Sequence, residues 1–180
     1  EGKAEFDIDV WSMKFRDGLQ PLLTFVYGDA YESALDEVGR KGVKQEVPPE
    51  SIEWLELHSL EMATSINLTT REMLRRTLIE GFAQGESIPK ITRRIKGFFE
   101  ETYKNRAKTI ARTEVIAANS EGALKGYEVE GVQKAEFYTA LDERVCEECM
   151  ALHGNVYPIS EAHGLIPVHP SCRCTYVPIV

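Results

Sequence analysis

A chain of 180 residues, 43% hydrophobic and carrying a formal charge of −8, has enough apolar material for one core, or for a helical part with a small appended module, and too little for two large domains. The acidic balance excludes wholesale wrapping of nucleic acid, because such a surface repels phosphate unless basic residues are gathered on one face. No apolar run reaches the ~20 residues of a membrane span and no basic-then-apolar leader opens the chain, which reads as soluble; without an initiator Met, residue 1 reads as a processed or trimmed end.

From about Phe15 to Val38, apolar residues recur at helical spacing (Leu19, Leu22, Val26, Ala30) and the run closes in GRKG, which predicts a first helix with a glycine-rich stop. The stretch near 39–50, GRKGVKQEVPP, reads as an exposed linker, since its prolines and charges do not continue a helix. A second helix is expected from about Glu50, with Ile52, Leu55, Met62 and Ile66 on or near one face. At TTRE, Thr69 and Glu72 stand in capping-box relation, and Leu74, Leu78 and Phe82 repeat every fourth residue before Gly85, which predicts a separate helix. Ser87 and Pro89 suit the start of another short helix carrying Ile91, Ile95 and Phe98. A longer helix is expected from about Glu101 to Tyr127, built from Ala107, Ile110, Ala111, Val115 and Ala118. Past Gly131 the pattern changes: VQKAEFYTAL is rich in β-formers, and VYPI and TYVPIV are strand-like, with prolines that suit edges or ends.

All four cysteines lie between Cys146 and Cys174, whereas a disulfide framework usually spreads its cysteines through the fold. Zinc takes four tetrahedral ligands and commonly gathers them as two pairs, each a few residues apart on a tight turn. Cys146 and Cys149 form one pair as C-x-x-C, and HPSCRC offers His169, Cys172 and Cys174 for the second, one ligand more than is needed. Two sets compete: Cys146, Cys149, His169 and Cys172, which the comfortable H-x-x-C spacing favours, or the four cysteines alone; His153 is a weaker substitute. Buried reduced cysteines or two disulfides are the alternatives to a metal. A module of this size buries little apolar surface, and structural Zn2+ contributes roughly 10–16 kcal/mol of apparent binding energy at neutral pH. The expected fold class is therefore α+β: a mainly α-helical part over 1–130, followed by a small, zinc-stapled, β-containing module over 131–180. A surplus of candidate ligands points to a closed site, although Asp142, Glu147 and Glu148 stand near enough in sequence to serve an open, hydrolytic one.

Two further features stand in the helical part. In IARTEVIAANSEG, Arg112, Thr113 and Glu114 interrupt an alanine-rich helix that carries Asn119 further along, and Arg112 could pair with a carboxylate of a partner or of the β-module; a solvated face is the plainer reading. Between Lys90 and Arg112 lie eight basic residues against two acidic ones. Lys90, Arg93, Arg94, Lys96, Lys104, Arg106 and Lys108 are thus candidates for local contact with DNA phosphates.

Together, ARTE followed by Asn119, then EFYTALDERVCEECMALHG and PVHPSCRCTYVP, resemble the phage Mu F-like minor head proteins, a head-morphogenesis family of tailed phages and prophages. The resemblance covers roughly the last hundred residues. It places Arg112, Thr113, Glu114 and Asn119 on the family's helical motif, Asp142 in its D-x-x-x-C-x-x-C stretch, and Cys146, Cys149, His169, Cys172 and Cys174 on its metal-binding signature. What it implies is a minor capsid component of the virion, assembled in the host bacterial cytoplasm. Its partners would be portal or capsid proteins and packaged DNA, with no membrane, and its role head assembly, DNA packaging or delivery. The competing function is a zinc-dependent hydrolase or nuclease with His153 or His163 as base, for which the sequence has neither H-N-H nor H-E-x-x-H.

Overall fold

The computed structural model describes the backbone of residues 8–42 and 46–180. Side chains at 8–12, 14, 15, 19, 59–67, 71, 74, 75, 77, 78, 81, 82, 88, 91, 92, 94–96 and 98–107 lie outside the description, and with them the expected apolar positions Leu19, Met62, Ile66, Leu74, Leu78, Phe82, Ile91, Ile95, Phe98 and Ala107. Three long helices come first, α1 (Ile8–Glu37), α2 (Pro49–Ala83) and α3 (Ile88–Val129). A small α+β part follows: β1 (Lys134–Tyr138), α4 (Glu147–Leu152), β2 (Val156–Pro158), α5 (Ile159–Ala162) and β3 (Thr175–Ile179). The chain divides into two units, one of Glu56–Lys108 with α1 as far as Gln20, the other of Pro21–Leu55 with Thr109–Val180. Among the described residues no helix is long and apolar enough to cross a membrane.

The helices are fewer and longer than the sequence predicted. No helix starts at Thr69, because nothing between Glu50 and Glu80 breaks the chain, and Glu72 pairs one turn onward with Arg76 at 3.2 Å. Likewise the helices expected on either side of Glu100 are one, α3: Gly97 alone costs about 1 kcal/mol, too little to stop a helix of 42 residues. Pro49, at the first position of α2, suits its site because that N–H has no partner inside the helix. The end of α3 is a Schellman motif. Val132 N–H reaches the Tyr127 carbonyl at 3.0 Å and Gly131 N–H that of Glu128 at 3.0 Å, with Gly131 at φ 78°, a conformation that an L side chain resists.

In the second unit, α1 and α3 cross at close range. An ideal Cβ on Gly126 would stand 2.6 Å from Ala34 Cβ and 2.8 Å from the Tyr31 carbonyl, and one on Gly122 would strike the Tyr27 carbonyl. The face of α1 turned inward is Leu23, Tyr27, Ala30, Tyr31, Ala34 and Leu35, so the stripe read as Leu19, Leu22, Val26 and Ala30 is rotated: Leu22 is exposed and Val26 half-buried. Aliphatic periodicity missed it because two tyrosines do the packing, each keeping a polar tip to satisfy. Tyr27 donates to Ser51 Oγ at 2.8 Å, and burial pushes its hydroxyl up to about 12.

The sheet has the order β2-β1-β3, antiparallel throughout. Ala135, Phe137 and Tyr176 turn into a core shared with Leu124, Tyr127, Ile159, Ala162 and Ile166, while Val156, Val177 and Ile179 face outward. Phe137 donates to the Asn155 carbonyl at 2.8 Å and accepts from Gly154 N–H at 2.9 Å, so the odd-numbered residues of β1 direct their backbone groups toward β2, and the even-numbered ones toward β3. Pro178 pairs with Ala135 and Pro158 with Lys134, which turns both proline nitrogens away from β1, where no ladder donor is lost. Tyr127 Oη donates to Glu37 Oε2 at 2.5 Å and lies 3.5 Å from the Tyr176 carbonyl at the outer edge of β3.

Candidate metal centre

The first Cys pair sits at a helix start. Cys146 is the N-cap of α4, at φ −77° and ψ 161°, and its Sγ accepts the Cys149 N–H at 3.3 Å, as a Ser or Asp cap would. The cap thus fixes the spacing of the two sulfurs, Cys146 half-buried and Cys149 buried.

The second group sits on a turn. Cys172 N–H bonds to the His169 carbonyl at 3.1 Å, with Pro170 second and Ser171 third at φ 61°, the pattern of a type II turn. His169 Nδ1 lies 3.0 Å from the Pro170 carbonyl; a carbonyl only accepts, so Nδ1 carries the proton and Nε2 is left with its lone pair. That Nε2 stands 3.2 Å from Cys146 Sγ and 3.1 Å from Cys149 Sγ, while Cys149 and Cys172 sulfurs are 3.9 Å apart.

Two overlapping groups suited to a metal ion result, Cys146 with Cys149 and His169, and Cys149 with Cys172 and Cys174. Zn–S bonds near 2.3 Å and Zn–N bonds near 2.0–2.1 Å at tetrahedral angles put a nitrogen and a sulfur ligand roughly 3.5 Å apart and two sulfurs roughly 3.8 Å apart, against 3.1–3.2 Å and 3.9 Å here. The donor set therefore fits a metal ion. All four cysteines are free thiols, and 3.9 Å is far beyond a disulfide bond of ~2.05 Å.

The electrostatics are those of ligands crowded together. Burial and neighbouring thiols raise Cys149 and Cys174, whereas the Cys149 backbone N–H lowers Cys146. Burial opposes the ionisation of Cys172, yet the backbone N–H groups around it lower it on balance. The Pro170 carbonyl raises His169 by holding its Nδ1 proton. A bound dication reverses the cost of placing several thiolates side by side.

Long-range contacts tie the two Cys groups together. Asp142 receives both guanidinium nitrogens of Arg173, at 2.6 and 2.5 Å, and the Arg144 N–H at 3.0 Å, so its carboxyl is held well below the usual range. Arg173 lies between Cys172 and Cys174, which makes this pair a strap from the segment before the first Cys pair to the second group. Arg112 is exposed on α3. Thr113 donates to the Thr109 carbonyl at 2.8 Å and accepts from Ser171 N–H at 2.9 Å. Glu114 and Asn119 are half-buried.

Glu121 was missed in the sequence. It is 6% exposed, with one oxygen 2.6 Å from His163 Nδ1 and the other accepting Gly164 N–H at 2.8 Å. The available signal was its phase: Ala117, Glu121 and Leu124 share one helix face, and all three are buried. His163 is thus occupied by Glu121, and His153 Nδ1 accepts the Thr139 N–H at 3.3 Å with its ring edge-on to Tyr138; neither is in the metal-suited groups. Glu147 and Glu148 are exposed on α4. Of the basic run, Lys90, Arg93 and Lys108 are exposed on α3, with Lys90 3.3 Å from Glu86; the side chains of Arg94, Lys96, Lys104 and Arg106 lie outside the described residues.

Residues 72–177, more than half of the chain, match the family described as Phage Mu protein F like protein. No curated protein and no solved structure matches the chain.

Proposed function

This chain belongs to the phage Mu protein F-like family, whose business is phage head morphogenesis, and from that premise we propose that it is a minor capsid protein of a tailed phage or prophage. In this reading it is assembled in the bacterial cytoplasm, resides in the virion, and associates with the portal or inner head during assembly, DNA packaging or delivery. What carries the reading is that the matched stretch takes in both the helix bearing Arg112, Thr113 and Glu114 and the Cys/His cluster that this helix touches through Thr113.

The ion we assign to the cluster is Zn2+, held by Cys146, Cys149, His169 and Cys172, with Cys174 as the neighbouring thiol. Three thiolates and an imidazole are a donor set that zinc favours, and four protein ligands leave no position for water. Bound there, the ion would supply cross-linking between α4 and the His169 turn. The chain's own residues do the rest: the Cys146 cap and the Pro170 carbonyl orient two ligands, and the Asp142–Arg173 strap holds the halves together.

Packaged DNA is a further partner in this reading, through the basic run from Lys90 to Lys108. The test is cryo-electron microscopy of purified heads, with quantitative mass spectrometry of their proteins. A few copies per head, with density at the portal or inner shell, are expected; absence of the chain from heads refutes the reading.

A further inference from the structure

Resting on the metal centre proposed above, we propose that Thr113, on α3, is a positioning residue for it, acting through the Ser171 turn. His169 and Cys172 are the ends of that turn, and Ser171, between them, is held at φ 61°. A type II turn wants glycine there, because an L side chain in the left-handed region costs roughly 1–2 kcal/mol. Ser171 keeps the conformation while its N–H is anchored to Thr113 Oγ1 at 2.9 Å. Thr113 is itself fixed, since its hydroxyl proton goes to the Thr109 carbonyl at 2.8 Å, which leaves a lone pair directed at Ser171. Glu121, two turns further along α3, holds Gly164 N–H near the start of the same loop.

Helix α3 thus grips the loop at both ends. If Ser171 relaxes to negative φ, the carbonyl and N–H that close the turn rotate apart, and His169 and Cys172 no longer converge. The helix hydroxyl therefore sets the ligand spacing without touching the ion. Removal of such an outer hydrogen bond typically weakens metal affinity by ~10–100-fold.

The experiment uses the whole chain and measures Zn2+ affinity by competition with a chromophoric chelator, with circular dichroism to check folding. Thr113→Val keeps the shape and loses the hydroxyl, and should bind ~10–100-fold more weakly. Thr113→Ser keeps the hydroxyl and should bind close to wild type. Adding Ser171→Gly to Thr113→Val should restore most of the affinity, because glycine takes positive φ freely; this double variant carries the test if Thr113→Val alone does not fold. Unchanged affinity in Thr113→Val, equal weakening by Ser and Val, or no recovery with glycine overturns the positioning role while leaving the metal centre standing. A wild-type chain that binds no Zn2+ overturns both.

Discussion

The crossing of α1 and α3 gives opposite outcomes for one chemical change at two sites on the same helix. At Gly126 an added methyl would sit 2.6 Å from Ala34 Cβ and 2.8 Å from a backbone carbonyl, against the ~3.5–4.0 Å of a relaxed carbon contact, so the helices must part by roughly 1 Å. Overpacking of this kind costs ~1–3 kcal/mol, and because part of the obstacle is backbone, rotamer changes do not relieve it. The better helix propensity of alanine returns ~0.5–1 kcal/mol. Gly126→Ala should therefore destabilise by ~1 kcal/mol or somewhat more, which at this chain length lowers Tm by ~2–4 °C per kcal/mol. Gly97 is exposed on α3 with nothing within 4 Å among the described residues, so Gly97→Ala keeps the propensity gain and should raise Tm slightly. Thermal unfolding followed by far-ultraviolet circular dichroism measures both. A Gly126→Ala protein that melts with or above Gly97→Ala would refute the close crossing.

Two further outcomes concern pH. Glu121 raises the His163 imidazole above its ordinary value of ~6.5, so the stability it contributes is fully present below that pH and is lost as pH rises through the raised value. His163→Gln should flatten this loss in urea titrations above about pH 6.5, and an unaltered slope contradicts the pairing. Asp142 is depressed by Arg173, so its contribution is present above the ordinary carboxylate value of ~3.9 and disappears as pH falls. Asp142→Asn should lower Tm at neutral pH and make the acid limb shallower; a variant with wild-type Tm and acid limb shows that the strap contributes nothing.

What was legible in the sequence was what lies close along it. The C-x-x-C and H-P-S-C spacings are a helix cap and a four-residue turn, and each is visible in a handful of letters. The edge prolines Pro158 and Pro178 were readable in the same way, because a missing N–H restricts where a strand can lie. Helix boundaries inside α2 and α3 were not, since a capping-box pattern at Thr69 signals a start only where the preceding turn ends. The inward face of α1 was misread because Tyr27 and Tyr31 share it with Leu23, Ala30, Ala34 and Leu35, and a count of aliphatic spacing passes over the tyrosines. The contacts that orient the Cys/His cluster were invisible for another reason. Thr113 to Ser171, Asp142 to Arg173 and Glu121 to Gly164 join positions that only the folded chain brings together, and no local pattern encodes them.

In the proposed reading an ion fastens α4 to the His169 turn. Elemental analysis of the purified chain, paired with circular dichroism before and after a strong chelator, tests this most directly. One Zn2+ per chain, with loss of β-structure on removal and its return on re-addition, is the expected result. A metal-free protein whose spectrum the chelator leaves unchanged contradicts it.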